Sequence, residues 1–128
     1  MNNKTLSISN TTKSRPPRLP FLDIKNEILG PDYALSIALI GDDESRELNR
    51  RYRNKDKPAN VLSFPLSDTE GEIVIDPLQV ERDAPLFSME YEPFFAKIVI
   101  HGMLHLKGLE HGDTMEQEEE RLLQAFSL

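Results

Sequence analysis

Three histidines, His101, His105 and His111, stand within the stretch HGMLHLKGLEHG, and the rest of the chain has none. Histidine is the commonest protein ligand for transition metals, whereas core histidines would scatter along a chain. His101 and His105 lie at i and i+4 of a predicted helix. Their side chains therefore leave one face about 6 Å apart along the axis. Both imidazoles can reach one ion at roughly 2.0–2.1 Å per bond. Gly108 comes three residues later, where glycine takes the left-handed conformation that ends a helix. The chain can then turn back and carry His111 to the same ion.

The pattern H-x3-H-x5-H with an intervening glycine has the spacing of the metzincin zinc site, H-E-x-x-H-x-x-G-x-x-H. In those proteases the glutamate after the first histidine is the general base, and Gly102 stands there in this chain. Peptide hydrolysis is disfavoured without that carboxylate. Glu110 falls in the loop beside His111 rather than on the helix face. With no cysteine in the chain, a metal has only nitrogen and oxygen ligands. One zinc ion on three histidines with an open position is expected. A closed structural site with Asp113 or Glu110 as fourth ligand is the alternative, and nickel or copper would also suit the donors.

Residues 52–66, YRNKDKPANVLSFPL, form the second unusual stretch. Arginine offers phosphate a planar fork of donors and keeps its charge. A metal facing an arginine across a cleft suits phosphoryl chemistry, although sequence spacing alone does not bring residues 53 and 101 together. The segment RRYRNKDK (50–57) sets Arg50, Arg51, Arg53, Lys55 and Lys57 against Asp56; by itself it reads as a solvated helix end. Residues 1–20 carry Lys4, Lys13, Arg15 and Arg18 without an acid, whereas residues 66–92 and 110–121 are acidic. The formal net charge of −7 excludes indiscriminate coating of nucleic acid and leaves room for a local basic strip.

The elements that position these groups follow from patterning. At 128 residues, with 38% hydrophobic and 29% charged residues, the chain is expected to fold as one domain, residues 1–128. Strands are predicted at 5–9 and 34–40, then in NVLSFPL and GEIVIDP, joined by a turn around Ser67 to Gly71. Helices are predicted from about Pro20 to Leu29, over DDESRELNRRYRNK with Asp42 or Asp43 as N-cap, and after Asp76-Pro77. Another runs through PFFAKIVIHGMLHLKG, with Pro93 in its first turn, and a last one through DTMEQEEERLLQAFSL, capped by Asp113. The helix bearing His101 is apolar on nearly every side and belongs in the middle of the domain. The fold class is α+β, a mixed sheet of about four strands packed with helices. No apolar run is long enough to span a membrane, and the N-terminus lacks the apolar region of a signal peptide, so a cytoplasmic location is expected.

HGMLHLKGLEH resembles the H-G-x-L-H-L-x-G-x-D-H signature of the YbeY family of bacterial ribosomal-RNA-maturation endoribonucleases. YRNKDKPANVLSFPL resembles the family's Y-R-x-K-D-x-P-T-[DN]-V-L-S-F-P segment, and GEIVI its G-D-I-x-I strand. The resemblance covers about residues 34–125. It implies a four-stranded mixed sheet around a central helix that carries the zinc histidines. It also implies a metal-dependent endoribonuclease specific for single strands, working in the cytoplasm with the ribosome and its assembly proteins. Its tasks would be 3′-end maturation of small-subunit ribosomal RNA and ribosome quality control. By position, the zinc ligands would be His101, His105 and His111, with Arg53 and His101 at the reacting centre. Arg50, Arg51, Lys55 and Lys57 would contact the RNA backbone. Glu110 replaces the family aspartate, and Ala59 the family threonine. The rival readings are a metzincin-like metalloprotease and a non-enzymatic, zinc-stabilised ribosome-assembly factor.

Overall fold

A computed structural model describes residues 5–128. Lys4 of the basic N-terminal stretch lies outside the described residues, as does the start of the segment read for a signal peptide. In chain order the elements are β1 (Leu6–Asn10), α1 (Phe21–Leu29), β2 (Ala34–Leu39), α2 (Asp42–Arg53), β3 (Val61–Ser67), β4 (Glu70–Ile75) and α3 (Pro77–Asp83). A 3-10 turn (Ala84–Phe87), α4 (Tyr91–Lys107) and α5 (Asp113–Ala125) complete the fold. The expected α+β class and four-stranded mixed sheet are present. The strand order is β1-β2-β4-β3, with β1, β2 and β4 mutually parallel and β3 antiparallel to β4 at one edge.

Helix α4 forms because Phe94, Phe95, Ala96, Ile98, Val99, Ile100, Met103 and Leu104 give it apolar surface almost all round, and all of them are buried. It packs against β3 and β4 of the sheet and against α1, α3 and α5. Truncating a side chain such as Phe95 or Met103, both fully buried, would cost about 2–5 kcal/mol through the cavity left behind. Along β2 the pattern alternates, with Leu35, Ile37 and Leu39 buried, as a strand with one packed face requires. Lys25 of α1 is also fully buried. Its ammonium donates to the carbonyls of Gly30 (3.1 Å), Pro31 (3.3 Å) and Tyr33 (2.8 Å), where the negative end of the helix favours a cation. Burial holds its pKa below the ordinary lysine value.

Two expected helix caps are corrected. The N-cap of α2 is Gly41, in extended conformation, and Asp42 is the first helical residue. The N-cap of α5 is Gly112, at φ 150°, and Asp113 is the first helical residue. Gly112 has a positive φ that suits glycine, whereas the extended backbone of Gly41 is open to any residue; in both helices the acids of the first turn face the positive end of the helix dipole. Asp76, by contrast, caps α3 through its side chain, accepting from the N–H groups of Leu78 (3.1 Å) and Gln79 (3.3 Å). Helix α2 ends at Arg53, because Asn54 adopts the left-handed conformation at φ 56°. Asp42 pairs with Arg82, which holds its carboxyl below the usual carboxylate range. Burial, then the neighbouring Asp42 carboxyl, pushes the Asp76 carboxyl up to about 7.

Candidate metal centre

One turn of α4 separates His101 from His105, and the helix stops just after them because Gly108, at φ 109°, donates its N–H back to His105 O at 3.0 Å. His111 returns on the following turn. The three rings form a near-equilateral triangle, with centroids 4.6, 4.7 and 5.0 Å apart. One ligand atom from each lies within 4.8 Å of the others.

Hydrogen bonding settles which nitrogens face inward. His101 Nδ1 meets the buried carboxyl of Glu119 at 2.5 Å, and with Nδ1–H donating to that oxygen the ring's Nε2 is left free to face inward. His105 Nδ1 donates to the carbonyl of Leu109 at 3.1 Å. Burial first, then His101 and His111, and also Arg53, hold His105 below the ordinary imidazole pKa, which favours its neutral form. The two Nε2 atoms are left facing each other at 3.1 Å with lone pairs inward. Ligand nitrogens on one tetrahedral zinc stand roughly 3.3–3.4 Å apart for bonds of about 2.0–2.1 Å. The donor set fits a metal ion, and the outer partners fix the tautomers as in known histidine sites. Glu110 and Asp113 are exposed and are not part of the cluster.

Gly102 is buried at the contact of α4 with β3 and β4. A Cβ there would stand 3.1 Å from Ile73 Cδ1 and 3.2 Å from Val61 Cγ2. The same contact is tied by Ser63 Oγ, which donates to Gly102 O at 2.9 Å. A glutamate at residue 102 would point into packed sheet and would not reach the histidines.

The three histidines, Tyr52, Arg53 and residues 61–65 of β3 line one cavity of about 460 Å³. Arg53, the last residue of α2, therefore opens onto the same space as His101. The loop that follows α2 is held by Ser45, whose Oγ donates to Ala59 O (2.7 Å) and accepts from Ala59 N–H (2.9 Å). Asn49 Nδ2 adds a bond to Lys57 O at 2.8 Å, and Arg46 forks onto Asp56. The missing threonine hydroxyl at residue 59 thus leaves a loop still tied at that residue. Residues 5–127 match the family described as Endoribonuclease YbeY.

The chain belongs to the YbeY family. Endoribonuclease YbeY of Thermotoga maritima is 42% identical over 90 residues, covering 69% of this chain and 59% of that protein. The Cupriavidus necator Endoribonuclease YbeY is 35% identical over 118 residues, covering 88% of this chain and 60% of that protein. The chain thus spans about three fifths of the length of these curated relatives. The solution structure of TM1509 from Thermotoga maritima is similar with a TM-score of 0.63 at 30% identity, covering 93% of this chain and 87% of that one.

Among the residues expected from the sequence, the fold brings His101, His105, His111 and Arg53 together. Arg50 and Arg51 are exposed on α2 and both pair with Glu47, Arg50 through two contacts of 2.7 Å. Lys55 and Lys57 are exposed on the next loop, and none of these four lines the histidine cavity. The sequence reading missed Glu119. Its signal lies in α5, where Met115, Glu119 and Leu122 share the buried face and the middle member is a carboxylate.

Proposed function

We propose that this chain is a metal-dependent endoribonuclease that cuts single-stranded RNA, with one zinc ion held in a metzincin-like arrangement by His101 and His105 on α4 and by His111 on the turn after it. The observation that carries this reading is the shared cavity of Arg53 and the three histidines in a chain of this family. A bound zinc ion would supply Lewis acidity and lower the pKa of a water molecule in the open position. Glu119 holds His101 with its Nε2 directed inward, and the Leu109 carbonyl does the same for His105. Arg53 stands at the mouth of α2 to hold the substrate phosphate and to balance charge that builds on its oxygens. Arg50, Arg51, Lys55 and Lys57 lie outside the cavity and would steer the RNA backbone from a distance.

The substrate would be small-subunit ribosomal RNA near its 3′ end, with the ribosome and its assembly proteins as partners, in cytoplasmic rRNA maturation and ribosome quality control. The names of the relatives support the ribonuclease part of this reading. The packed surroundings of Gly102 speak against a protease of the same geometry.

The test is cleavage of a labelled single-stranded RNA and its duplex form by protein of measured zinc content, with and without chelator. Cutting of the single strand alone, lost with chelator, is expected. Arg53→Ala should lower kcat about 10²–10³-fold at unchanged zinc content. Metal-loaded protein that binds RNA without cutting it, with Arg53→Ala indistinguishable, would replace this reading with a non-catalytic assembly factor.

A further inference from the structure

A second cavity, of about 690 Å³, adjoins the first and shares His101 and His111 with it. The two cavities differ in chemistry. The first has Arg53 and suits a phosphate. The second carries Glu116, Glu119 and Glu120 on its α5 side, and Lys97 is the single lysine or arginine among its lining residues. A phosphate would be repelled there.

What the second cavity does offer is a flat ring. Phe87, at the end of the 3-10 turn, is 55% exposed and lines the cavity. Its ring is stacked on buried Phe94, with centroids 5.0 Å apart and planes 24° apart, so it stands on a rigid support. Lys97 Nζ lies over the ring at 5.9 Å, at the outer limit of a cation–π contact. The following residue, Ser88, adopts the left-handed conformation at φ 55°, and its N–H donates to Pro85 O at 3.0 Å, which closes the turn. A supported, solvent-facing aromatic ring beside a cleft is the device by which single-stranded nucleic acids are gripped through their bases.

We propose that Phe87 is a stacking platform for a nucleobase of the substrate, adjacent to the phosphate held on the Arg53 side of the histidines. The proposal rests on the ribonuclease reading for its choice of ligand. RNA crossing the site lays its backbone past Arg53 and turns one base into the second cavity, onto Phe87. The acidic wall admits that base, which is neutral, and turns away the phosphates on either side of it. A base paired in a duplex is not free to make this turn, so the subsite itself selects single strands.

The chain has no tryptophan, so Phe87→Trp introduces a sole indole reporter. Its fluorescence is titrated with a single-stranded oligoribonucleotide, with the duplex, and with an abasic strand of equal length. The zinc-loaded protein is used throughout, and cleavage is followed in parallel. Saturable quenching by the single strand, absent with the abasic strand, is the expected result. Phe87→Ala should lower kcat/KM on the intact strand about 5- to 150-fold, the kinetic equivalent of losing one base–aromatic stack. On a strand abasic next to the cleaved bond, wild type and Phe87→Ala should be equal. Leu86→Ala, at the 78% exposed neighbour that does not line the cavity, serves as the control with unchanged activity. Absence of quenching while RNA is still cut overturns the proposal and leaves the ribonuclease reading standing. Quenching without cleavage at full zinc loading supports the base subsite and sinks the ribonuclease reading instead.

Discussion

Glu119→Ala is the most informative single change at the histidine cluster. The wild-type carboxylate is 4% exposed and meets His101 Nδ1 at 2.5 Å, a charge-assisted bond away from solvent screening. Removing it frees the ring to rotate and lets the proton move to Nε2, the nitrogen needed inside. Loss of such an outer partner weakens metal binding about 10- to 100-fold, or about 1.4–2.8 kcal/mol. Glu119→Gln keeps an acceptor of similar shape without the charge, so it should lose about half of that free energy. Met115 and Leu122, buried on the same face of α5, keep the helix docked in both variants. Zinc affinity is measured by competition against a chromophoric chelator, with circular dichroism run in parallel to establish that the fold is intact. Wild type and Glu119→Ala binding zinc within twofold of each other, both folded, would show that the carboxylate does not position His101.

Three other predictions concern stability and are read by urea denaturation. Gly102→Glu should destabilise the protein by about 3 kcal/mol or more without conferring zinc-dependent peptide cleavage, because the new side chain enters the contact with Ile73 and Val61. Ser45→Ala removes both bonds to the Ala59 backbone and should cost about 1–3 kcal/mol. Asp76 has a folded pKa raised to about 7 by burial and by Asp42, so its contribution favours the folded state at low pH. That contribution is present below the unfolded value near 4 and is lost as pH climbs toward 7, with Asp42 paired to Arg82 throughout. Asp76→Asn, which keeps an acceptor for the α3 cap, should flatten the pH 4–7 stability profile; an unchanged slope would refute the assignment.

The metal cluster was legible because its geometry is local. An i, i+4 histidine pair and a helix-ending glycine need nothing from the rest of the chain. Arg53 is different, since it meets the histidines only where the end of α2 closes on β3, Tyr52 edge-on against Phe64, and spacing along the sequence carries no trace of that. Its placement followed from resemblance alone. Glu119 reaches His101 across the packing of α5 on α4, and in the run Glu118-Glu119-Glu120 nothing but helical phase distinguishes it from its exposed neighbour Glu120. The caps failed for one shared reason. Gly41-Asp42 and Gly112-Asp113 each offer two residues able to begin a helix, and the glycine took the cap both times. Gly102 invited a chemical reading of a missing carboxylate, whereas its surroundings supply a steric one.

The 18-residue interval between His101 and Glu119 also has a meaning in time. Synthesis proceeds from the N-terminus at roughly 5–20 residues per second, so the histidine precedes its aiming carboxylate by about one to four seconds. During that interval α5 is incomplete and His101 has no fixed tautomer. Until translation has passed Glu119 the ring of His101 lacks the acceptor that aims it, so the histidine cluster is complete only once α5 has been made and docked.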